Sequence, residues 1–344
     1  MTLPTRPLGK SGVAITTVGL GAWAIGGGGW AFGWGPQDDE RSIAAMRHAI
    51  DLGINWIDTA AVYGLGHSEE VVGRLLKTVP RDDRPLVFTK CGLVWDETSP
   101  MTPARRALEP ASIRRECERS LRRLGLERID LYQFHWPDES GVPVEESWGE
   151  MARLVDEGKV RLAGVSNFDV ALLDRCEKVR HVDSLQPPFS MIRRDAAEHL
   201  LPWCARHGTG AIGYSPMQSG LLTDGFTRRR IEAMPDDDWR RTLAPQFQEP
   251  NLSANLALRD RLRPIAGRHK TTVSAVAVAW TLAWPGLTGA IVGARSPEQV
   301  DGWIAASTLD LGQDDLAEIA RAIRDTHAGS GPVSPEHAAH GTRA

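Results

Sequence analysis

Four side chains suited to acid–base chemistry follow three consecutive apolar runs of the sequence. Asp58 and Tyr63 follow one run, Lys90 ends the next, and His135 ends the third. Carbonyl reduction needs a proton at the oxygen as hydride reaches the carbon, and a phenol with a pKa of about 10 is a poor acid. An ammonium lowers that pKa. These four residues predict a division of roles in which Tyr63 donates the proton and Lys90 lowers the pKa of the Tyr63 hydroxyl. Asp58 keeps Lys90 protonated, and His135 orients the carbonyl or shares the proton.

Each of these residues also has an ordinary explanation when it is taken alone. Asp58 can cap a helix or turn, Lys90 can reach solvent from a strand end, His135 can be a satisfied core histidine, and Tyr63 can pack a loop. The chemical interpretation requires that the three runs be neighbouring strands whose ends share one mouth.

Short apolar or β-branched runs alternate with amphipathic stretches along the chain, as expected for strands and helices. The predicted strands span residues 17–20, 55–58, 86–90, 129–135, 160–165, 184–186, 211–214 and 289–292. The predicted helices span residues 39–52, 68–77, 113–124, 144–157, 169–176, 196–207, 256–269 and 297–306. Strict alternation predicts an α/β fold, a (β/α)8 TIM barrel, in which the carboxyl ends of the strands carry the chemistry.

The competing fold is a doubly wound open sheet, which usually carries a Gly-x-Gly-x-x-Gly turn after its first strand. Gly19-Leu-Gly21 lacks the third glycine of that motif. Gly9-Lys-Ser-Gly12 separates two short apolar runs and predicts an N-terminal β-hairpin. It is not a phosphate loop, because Pro4 occupies the position of the first glycine and no helix follows.

The chain is divided into a barrel domain over 1–326 and a tail over 327–344 that we expect to be disordered, because the tail has few apolar residues. Residues 222–255 form a long connection after strand seven without clear strand period, and we interpret them as an inserted loop that can act as a lid.

The amino-acid composition limits the classes of binding partner that we expect. A net charge of −4 and a pI near 6.2 predict neither nucleic acid nor membrane as a partner, and favour a small molecule. The four cysteines are far apart in sequence, without zinc-ligand spacing, so we expect reduced thiols and no metal. Because no signal peptide or long apolar span is present, we expect a cytoplasmic protein.

A nicotinamide ring needs amide and hydroxyl partners for its carboxamide and a flat group beneath it. Ser166 and Asn167 end strand five, Gln186 ends strand six and Tyr214 ends strand seven. The alternative is that Asn167 or Asp169 caps the next helix.

Two segments after strands seven and eight fit a phosphate site, which TIM barrels often place there. Ser215 and a turn containing Gly220 and Leu221 fit a pyrophosphate contact, with tight packing as the alternative. In the second segment, Gly293 to Gln299, Ser296 and Gln299 predict a capping box with Pro297 at the first helical position. Arg295 offers a forked cation for a 2′-phosphate, so NADP is favoured over NAD, unless it is an idle surface arginine.

Tryptophan is common in this chain, with twelve residues against seven phenylalanines and three tyrosines. A tryptophan in a loop can line a pocket, for an apolar substrate or for the face of a sugar. The predicted substrate-pocket residues are Trp23, Trp34, Trp95 and Trp136.

The ordered motifs of the chain resemble the aldo-keto reductase superfamily. They are Gly19-Leu-Gly-Ala-Trp23, Asp58-Thr-Ala-x-x-Tyr63-Gly, Leu131-Tyr-Gln-Phe-His135-Trp-Pro-Asp138, Gly164-Val-Ser-Asn-Phe168, Tyr214-Ser-Pro-Met-Gln-Ser-Gly-Leu221 and Ile291-Val-Gly-Ala-Arg-Ser-Pro-Glu-Gln299.

The resemblance implies a catalytic tetrad at Asp58, Tyr63, Lys90 and His135, on a barrel that binds a nicotinamide cofactor. It further implies that Ser166, Asn167 and Gln186 bind the carboxamide and that Tyr214 stacks on the ring. Gly21 and Trp23 belong to the cofactor site in the same comparison. Many relatives place an adenine-contacting Asn where this chain has Asp301-Gly-Trp303.

The resemblance implies an NADP-dependent reductase, monomeric or oligomeric, of aldehydes, ketones, sugars or the matching alcohols. Two other functions are compatible with the barrel. A channel-associated β-subunit binds cofactor as a sensor, and fold alone does not exclude it. An aldolase or isomerase that forms a Schiff base on Lys90 requires a lysine free of its carboxylate partner.

Overall fold

The computed structural model describes residues 2–236 and 238–335. Within these residues, eight parallel strands close into a barrel in which each strand pairs with its neighbours in chain order. The barrel strands are β1 (Val18–Gly21), β2 (Trp56–Asp58), β3 (Leu86–Cys91), β4 (Ile129–Phe134), β5 (Val160–Ser166), β6 (Ser184–Gln186), β7 (Gly210–Tyr214) and β8 (Leu287–Gly293). The TIM-barrel prediction is confirmed, and each predicted strand boundary lies within two residues of the observed one.

Helices surround the barrel and bury one face against it. In the described ranges they are α1 (Asp39–Asp51), α2 (His67–Thr78), α3 (Pro110–Leu124), α4 (Val144–Asp156), α5 (Val170–Glu177), α6 (Ala196–His207), α7 (Arg228–Glu232), α8 (Trp239–Thr242), α9 (Asn251–Arg268), α10 (Val273–Leu282), α11 (Pro297–Asp301) and α12 (Gln313–Thr326). Short 3-10 turns lie at Ala24–Gly26, Tyr63–Gly66, Arg81–Asp83, Gln218–Gly220, Pro245–Phe247 and Ile304–Ser307. None of the described helices is both long enough and apolar enough to cross a membrane.

The predicted N-terminal hairpin is present and fills the lower end of the barrel. Thr5–Pro7 pairs antiparallel with Ala14–Thr16. Its apolar residues Leu8 and Ile15 join Trp56 in a buried cluster inside the barrel. The hairpin closes the end opposite to the carboxyl ends of the strands, so only the other end is available for a site.

Four helices, α7, α8, α10 and α12, were not predicted, and the first two lie in the long connection after β7. Every residue of α10 is buried, and a helix that is apolar all round has no amphipathic period to detect. α12 does carry an apolar face, including Leu316, Ile319 and Ile323. It was not predicted because eight helices already completed the expected (β/α)8 pattern before it.

The long connection after β7 is partly ordered into helices. The predicted loop over 222–255 contains α7 and α8, and α9 begins five residues before the expected helix start at 256. Trp239 on α8 is buried. The connection therefore packs onto the barrel.

The expectation of a disordered tail from residue 327 is wrong for residues 327–335. Ser330 N–H donates to the Ile192 carbonyl at 3.1 Å, and Arg194 N–H donates to the Ser330 carbonyl at 3.0 Å. Gly329 permits this approach, since a Cβ there would lie 1.9 Å from the Ile192 oxygen. Backbone pairing replaces the apolar packing that the sequence lacks. The remainder of the tail, 336–344, lies outside the described residues.

Two glycines inside helices provide a matched test of the packing. A Cβ on Gly73 of α2 would lie 2.4 Å from the Arg123 carbonyl oxygen of α3, whereas a Cβ on Gly149 of α4 would meet nothing within 4 Å. We expect G73A to lower the free energy of unfolding by about 1–3 kcal/mol, because the two helices must separate. We expect G149A to raise it by about 0.5–1 kcal/mol, because alanine is the better helix former.

Urea unfolding followed by circular dichroism measures both changes. A G73A protein as stable as G149A would contradict the described contact between α2 and α3.

Candidate active site

The carboxyl ends of the strands open into a cavity of about 950 Å³. Asp58, Tyr63 and His135 line it, and Lys90 lies directly behind Asp58. The structure therefore brings together the four side chains that the sequence singled out.

Lys90 and Asp58 form a buried ion pair at the base of this cavity. Their side chains are 0% and 3% exposed, and Lys90 Nζ lies 2.5 Å from Asp58 Oδ1. Nζ also donates to the Thr59 carbonyl at 2.9 Å and to the Tyr63 hydroxyl at 3.5 Å. Burial lowers the pKa of Lys90, and the Asp58 carboxylate opposes that shift. The ammonium thus has a carboxylate on one side and the phenol on the other.

The second oxygen of Asp58 is held by two glutamines that the sequence did not assign to it. Gln186 Nε2 donates to Asp58 Oδ2 at 2.8 Å, and Gln133 Nε2 donates to the same oxygen at 3.5 Å. Both glutamines are buried. Polar residues inside otherwise apolar strands were the available signal, since buried amides need partners. They fix the orientation of the Asp58 carboxylate toward Lys90.

Tyr63 lies on the 3-10 turn after β2, and Gly64 follows it with a φ of 62°. Burial raises the pKa of the Tyr63 phenol well above its usual value, and the Asp58 carboxylate adds to the rise. The raised pKa makes Tyr63 a neutral phenol that keeps its proton at pH 7. The Lys90 ammonium lies beside this phenol and is paired with Asp58 at 2.5 Å, and the lowering of the Tyr63 pKa by Lys90 stays a prediction.

His135 faces Tyr63 edge-on, with 5.6 Å between the ring centroids. Burial lowers the pKa of His135 well below its usual value, and Lys90 and Arg106 contribute to this shift. The imidazole is therefore neutral at pH 7. In that state one ring nitrogen donates a hydrogen bond and the other accepts one, which suits the orientation of a carbonyl oxygen.

A second carboxylate lies behind Lys90, on the far side of β3. Glu69 of α2 is fully buried, accepts a hydrogen bond from Thr89 Oγ1 at 2.6 Å and forms an ion pair with Arg123 at 2.6 Å. Its charge opposes the lowering of the Lys90 pKa. Glu69 therefore fixes the strand position that precedes Lys90.

The polar residues at the ends of β5 to β7 line the neighbouring wall of the cavity. Asn167 Nδ2 donates to the His135 carbonyl at 2.9 Å, and the Tyr214 hydroxyl donates to Asn167 Oδ1 at 2.9 Å. Ser166 Oγ donates to the Gln186 carbonyl at 2.8 Å. Asp169, not Asn167, caps α5, with Oδ1 accepting from Leu172 N–H at 2.8 Å. Asn167 thus belongs to the cavity wall.

Beyond Tyr214, the cavity continues along small residues and ends among arginines. Gly21, Ser215, Gly220 and Gly293 line this part of it. The capping box at α11 differs from its prediction. Ser296 makes no capping bond, and Gln299 Oε1 accepts from Arg295 N–H at 2.9 Å.

The Arg295 guanidinium lines the cavity and is held by the glycine-rich loop after β1. Its Nε donates to Gln37 Oε1 at 2.5 Å, and its Nη1 donates to the Trp34 carbonyl at 3.3 Å. Burial lowers the pKa of Arg295, and the neighbouring Arg240, Arg230 and Arg41 lower it further. Gln37 and the Trp34 carbonyl are uncharged, and no described carboxylate forms an ion pair with Arg295. The positive charge of Arg295 is therefore uncompensated within the described residues.

The cavity matches the parts of a nicotinamide dinucleotide. It offers amides and a hydroxyl beside a flat phenol ring at one end, small residues that let backbone approach, and the uncompensated charge of Arg295 at the other end. The residues present thus fit a dinucleotide cofactor.

Comparison with known proteins decides the family. The family model described as "Aldo/keto reductase family" matches residues 18–324. The chain belongs to the aldo/keto reductase family. This family's members are oxidoreductases that interconvert carbonyls and alcohols with nicotinamide cofactors.

Several relatives resemble this aldo/keto reductase over nearly its whole length. "Aldo-keto reductase YhdN" of Bacillus subtilis is 36% identical, and 98% of each chain is covered. The "NADH-specific methylglyoxal reductase" of Escherichia coli is 34% identical, covering 92% of this chain and 98% of the relative. The solved structure of the glycerol dehydrogenase AKR11B4 from Gluconobacter oxydans superposes with a TM-score of 0.83 at 36% identity, covering 96% and 97% of the two chains.

Besides Lys90, which lies behind Asp58, two predicted site residues of this aldo/keto reductase do not line the cavity. Trp95 packs instead against the small buried cluster around Trp30 and Val62, because it extends from the short Leu93–Val94 strand. Leu221 is fully buried in the main core beneath its turn. Trp23, Trp34 and Trp136 do line the cavity, as predicted.

The connection after β7, which the sequence predicts to be a loop that can act as a lid, lines the cavity through Trp239 and Arg240, two residues that the sequence did not single out. Trp239 of α8 stacks on Trp23 with 5.0 Å between centroids, and Trp23 stacks on Tyr63 at 6.1 Å. The Arg240 guanidinium lies 4.5 Å from the centre of the Trp34 ring. This stack of rings covers Tyr63 and shields it from solvent.

A titratable carboxyl lies next to the Lys90 strand. Glu116 of α3 accepts from Gly92 N–H at 2.9 Å, two residues after Lys90, and from Ser112 Oγ at 3.1 Å. Burial raises the pKa of Glu116 to about 7, although the hydrogen bond from Gly92 and nearby arginines oppose the rise.

We expect the stability of the wild-type aldo/keto reductase to fall relative to E116Q as pH rises. Glu116 is destabilising once it must ionise, so the effect is absent below its unfolded pKa near 4.5, grows up to pH 7 and is complete above that. The difference in unfolding free energy between the two proteins should change by roughly 3 kcal/mol across this window.

Urea unfolding of both proteins at pH 4.5 and pH 8 measures this difference. A constant difference would show that Glu116 titrates in the folded protein as it does in the unfolded chain.

Proposed function

We propose that this aldo/keto reductase reduces a carbonyl with hydride from NADPH, or oxidises the matching alcohol with NADP, and that Tyr63 is its proton donor and base. The observation that carries the proposal is the Lys90 ammonium, which lies 2.5 Å from Asp58 Oδ1 and 3.5 Å from the Tyr63 hydroxyl. A proton lost by Tyr63 leaves a phenolate directly beside this cation.

When bound, the cofactor supplies or accepts the hydride. The Tyr63 hydroxyl delivers its proton to the carbonyl oxygen, and the Lys90 ammonium stabilises the negative charge that remains on the phenol. Neutral His135 orients the carbonyl oxygen by a hydrogen bond. The roof formed by Trp23 and Trp239 excludes water, which strengthens these electrostatic interactions.

The polar wall beside Tyr63 is suited to hold the nicotinamide. Ser166, Asn167 and Gln186 bind the carboxamide in this proposal, and Tyr214 stacks on the ring. Their existing hydrogen bonds support the assignment, since Asn167 is already fixed by His135 and Tyr214. Preorganised groups of this kind orient a ligand with little loss of entropy.

The arginines around Arg295 favour NADP over NAD. Arg295, Arg230 and Arg240 line the same end of the cavity, and burial lowers the pKa of Arg295, with repulsion from the other two arginines lowering it further. A 2′-phosphate relieves that repulsion and accepts forked hydrogen bonds. One relative is by its name NADH-specific, so the preference within the family differs from protein to protein. In this chain the charge distribution supports the phosphate.

Two alternative functions were compatible with the sequence, and the structure argues against one of them. A Schiff base on Lys90 requires a lysine without its carboxylate, and the 2.5 Å ion pair with Asp58 opposes it. A cofactor-binding sensor without turnover shares the barrel. The test is NADPH oxidation with a panel of small aldehydes and ketones, and tight NADPH binding with no oxidation would favour the sensor.

We expect Tyr63→Phe to lower kcat by about 10²–10⁴-fold and to leave the Kd for NADPH near that of the wild type, because only the proton donor is removed. Steady-state kinetics and fluorescence titration measure the two quantities. Tyr132→Phe is the matched control, because Tyr132 is buried in the core and does not line the cavity. Survival of activity in the Tyr63→Phe enzyme would remove Tyr63 from the proton-transfer step.

We expect Arg295→Ala to raise the KM for NADPH by about 10–100-fold and to change the KM for NADH much less, because a charged hydrogen bond to the 2′-phosphate is lost. Initial rates with each cofactor measure the two constants. Arg228→Ala is the control, because Arg228 forms its ion pair with Glu249 and does not line the cavity. Equal effects on both cofactors would exclude Arg295 from the 2′-phosphate.

A further inference from the structure

Arg193 lines the cavity at a point that the proposed mechanism does not use. It lies between β6 and α6, beside Tyr214. Burial raises the pKa of the Tyr214 hydroxyl, and Arg193 opposes the rise by its charge and a hydrogen bond. The guanidinium is therefore close to the polar wall that faces Tyr63.

The charge of Arg193 is uncompensated in the part of the chain that the structure describes. Arg106 lies 2.5 Å from Glu139, and Arg240 lies 2.5 Å from Asp238. No described carboxylate lies within ion-pair distance of Arg193. Among the cations that line the cavity, Arg193 thus has charge available for a ligand.

Arg193 is also separate from the arginines assigned to the 2′-phosphate. Arg193 follows β6, whereas Arg295 follows β8 and donates hydrogen bonds to Gln37 and to the Trp34 carbonyl. Tyr214 is the group that Arg193 affects. The cavity therefore has a second cationic position, on the side formed by the segment after β6.

The backbone of Arg193 is fixed from two sides. Its N–H donates to Ser190 Oγ at 3.1 Å, and its carbonyl accepts from Ser190 N–H at 3.0 Å. Ser330 pairs with it as a parallel bridge, and the adjacent Arg194 Nη1 donates to the Ala328 carbonyl at 3.0 Å. The C-terminal residues thus hold Arg193 at the cavity edge, so only its side chain must be ordered when a ligand binds.

We propose that Arg193 binds an anionic group, a carboxylate or phosphate, on the carbonyl substrate. The inference rests on the proposed function and deepens it, because it names a class of substrate. A guanidinium binds such groups through forked, charge-assisted hydrogen bonds. Arg193 and Tyr63 line the same cavity, so one substrate molecule can contact both side chains.

The test compares succinic semialdehyde with its uncharged methyl ester as substrates, with NADPH saturating. We expect Arg193→Met to lower kcat/KM for the semialdehyde by about tenfold or more and for the ester by much less, with the KM for NADPH unchanged. Arg193→Lys keeps the charge without the fork and should recover part of the loss.

The possible results are distinguishable. An equal loss for both substrates would overturn the assignment, and so would a rise in the KM for NADPH, which would place Arg193 on the cofactor. If the wild type reduces neither aldehyde nor any carbonyl of a broader panel, the proposed function fails. If it reduces both aldehydes and Arg193→Met leaves their ratio unchanged, only the anion site fails.

Discussion

The ion pair between Lys90 and Asp58 is the constraint on which the site depends. Removing two charges from water costs several kcal/mol for each ion, and the attraction offsets this only when the remaining hydrogen-bonding groups are satisfied. Here they are satisfied from several strands, because Lys90 donates to the Thr59 carbonyl and Asp58 accepts from Gln186. β2, β3 and β6 must therefore hold their places in the closed barrel for the pair to exist.

The surroundings of this pair set the protonation states of the site. Burial keeps Tyr63 a protonated phenol and His135 a neutral imidazole. A cavity with a neutral acid at its centre needs another source of positive charge to release the proton. Asp58 partly neutralises Lys90, and in the proposed function an oxidised nicotinamide ring would supply the further positive charge. Binding of cofactor and acidity of Tyr63 are then coupled, which limits the chemistry to the occupied enzyme.

The strands, and the meeting of the four proposed catalytic residues at one mouth, could be predicted because their signals are local. Alternating apolar runs mark each strand, and strand order places Asp58, Lys90 and His135 on neighbouring ends. Contacts between residues far apart in sequence were beyond that reasoning. Trp95 packs against a separate cluster, and the residues after 327 form backbone hydrogen bonds with residues 192–194. Gln186 donates a hydrogen bond to Asp58. α10 was missed for the opposite reason, since complete burial removes the periodic pattern.

The most direct measurement is the pKa of Tyr63 with and without NADP, obtained from the ultraviolet absorbance of tyrosinate. The chain has only three tyrosines, so the difference between wild type and Tyr63→Phe isolates this residue. We predict a pKa well above the usual value of about 10 in the free protein and a clear fall on saturation with oxidised cofactor. A pKa that is unchanged by the cofactor would contradict the role of Tyr63 as an acid governed by Lys90 and the bound ring.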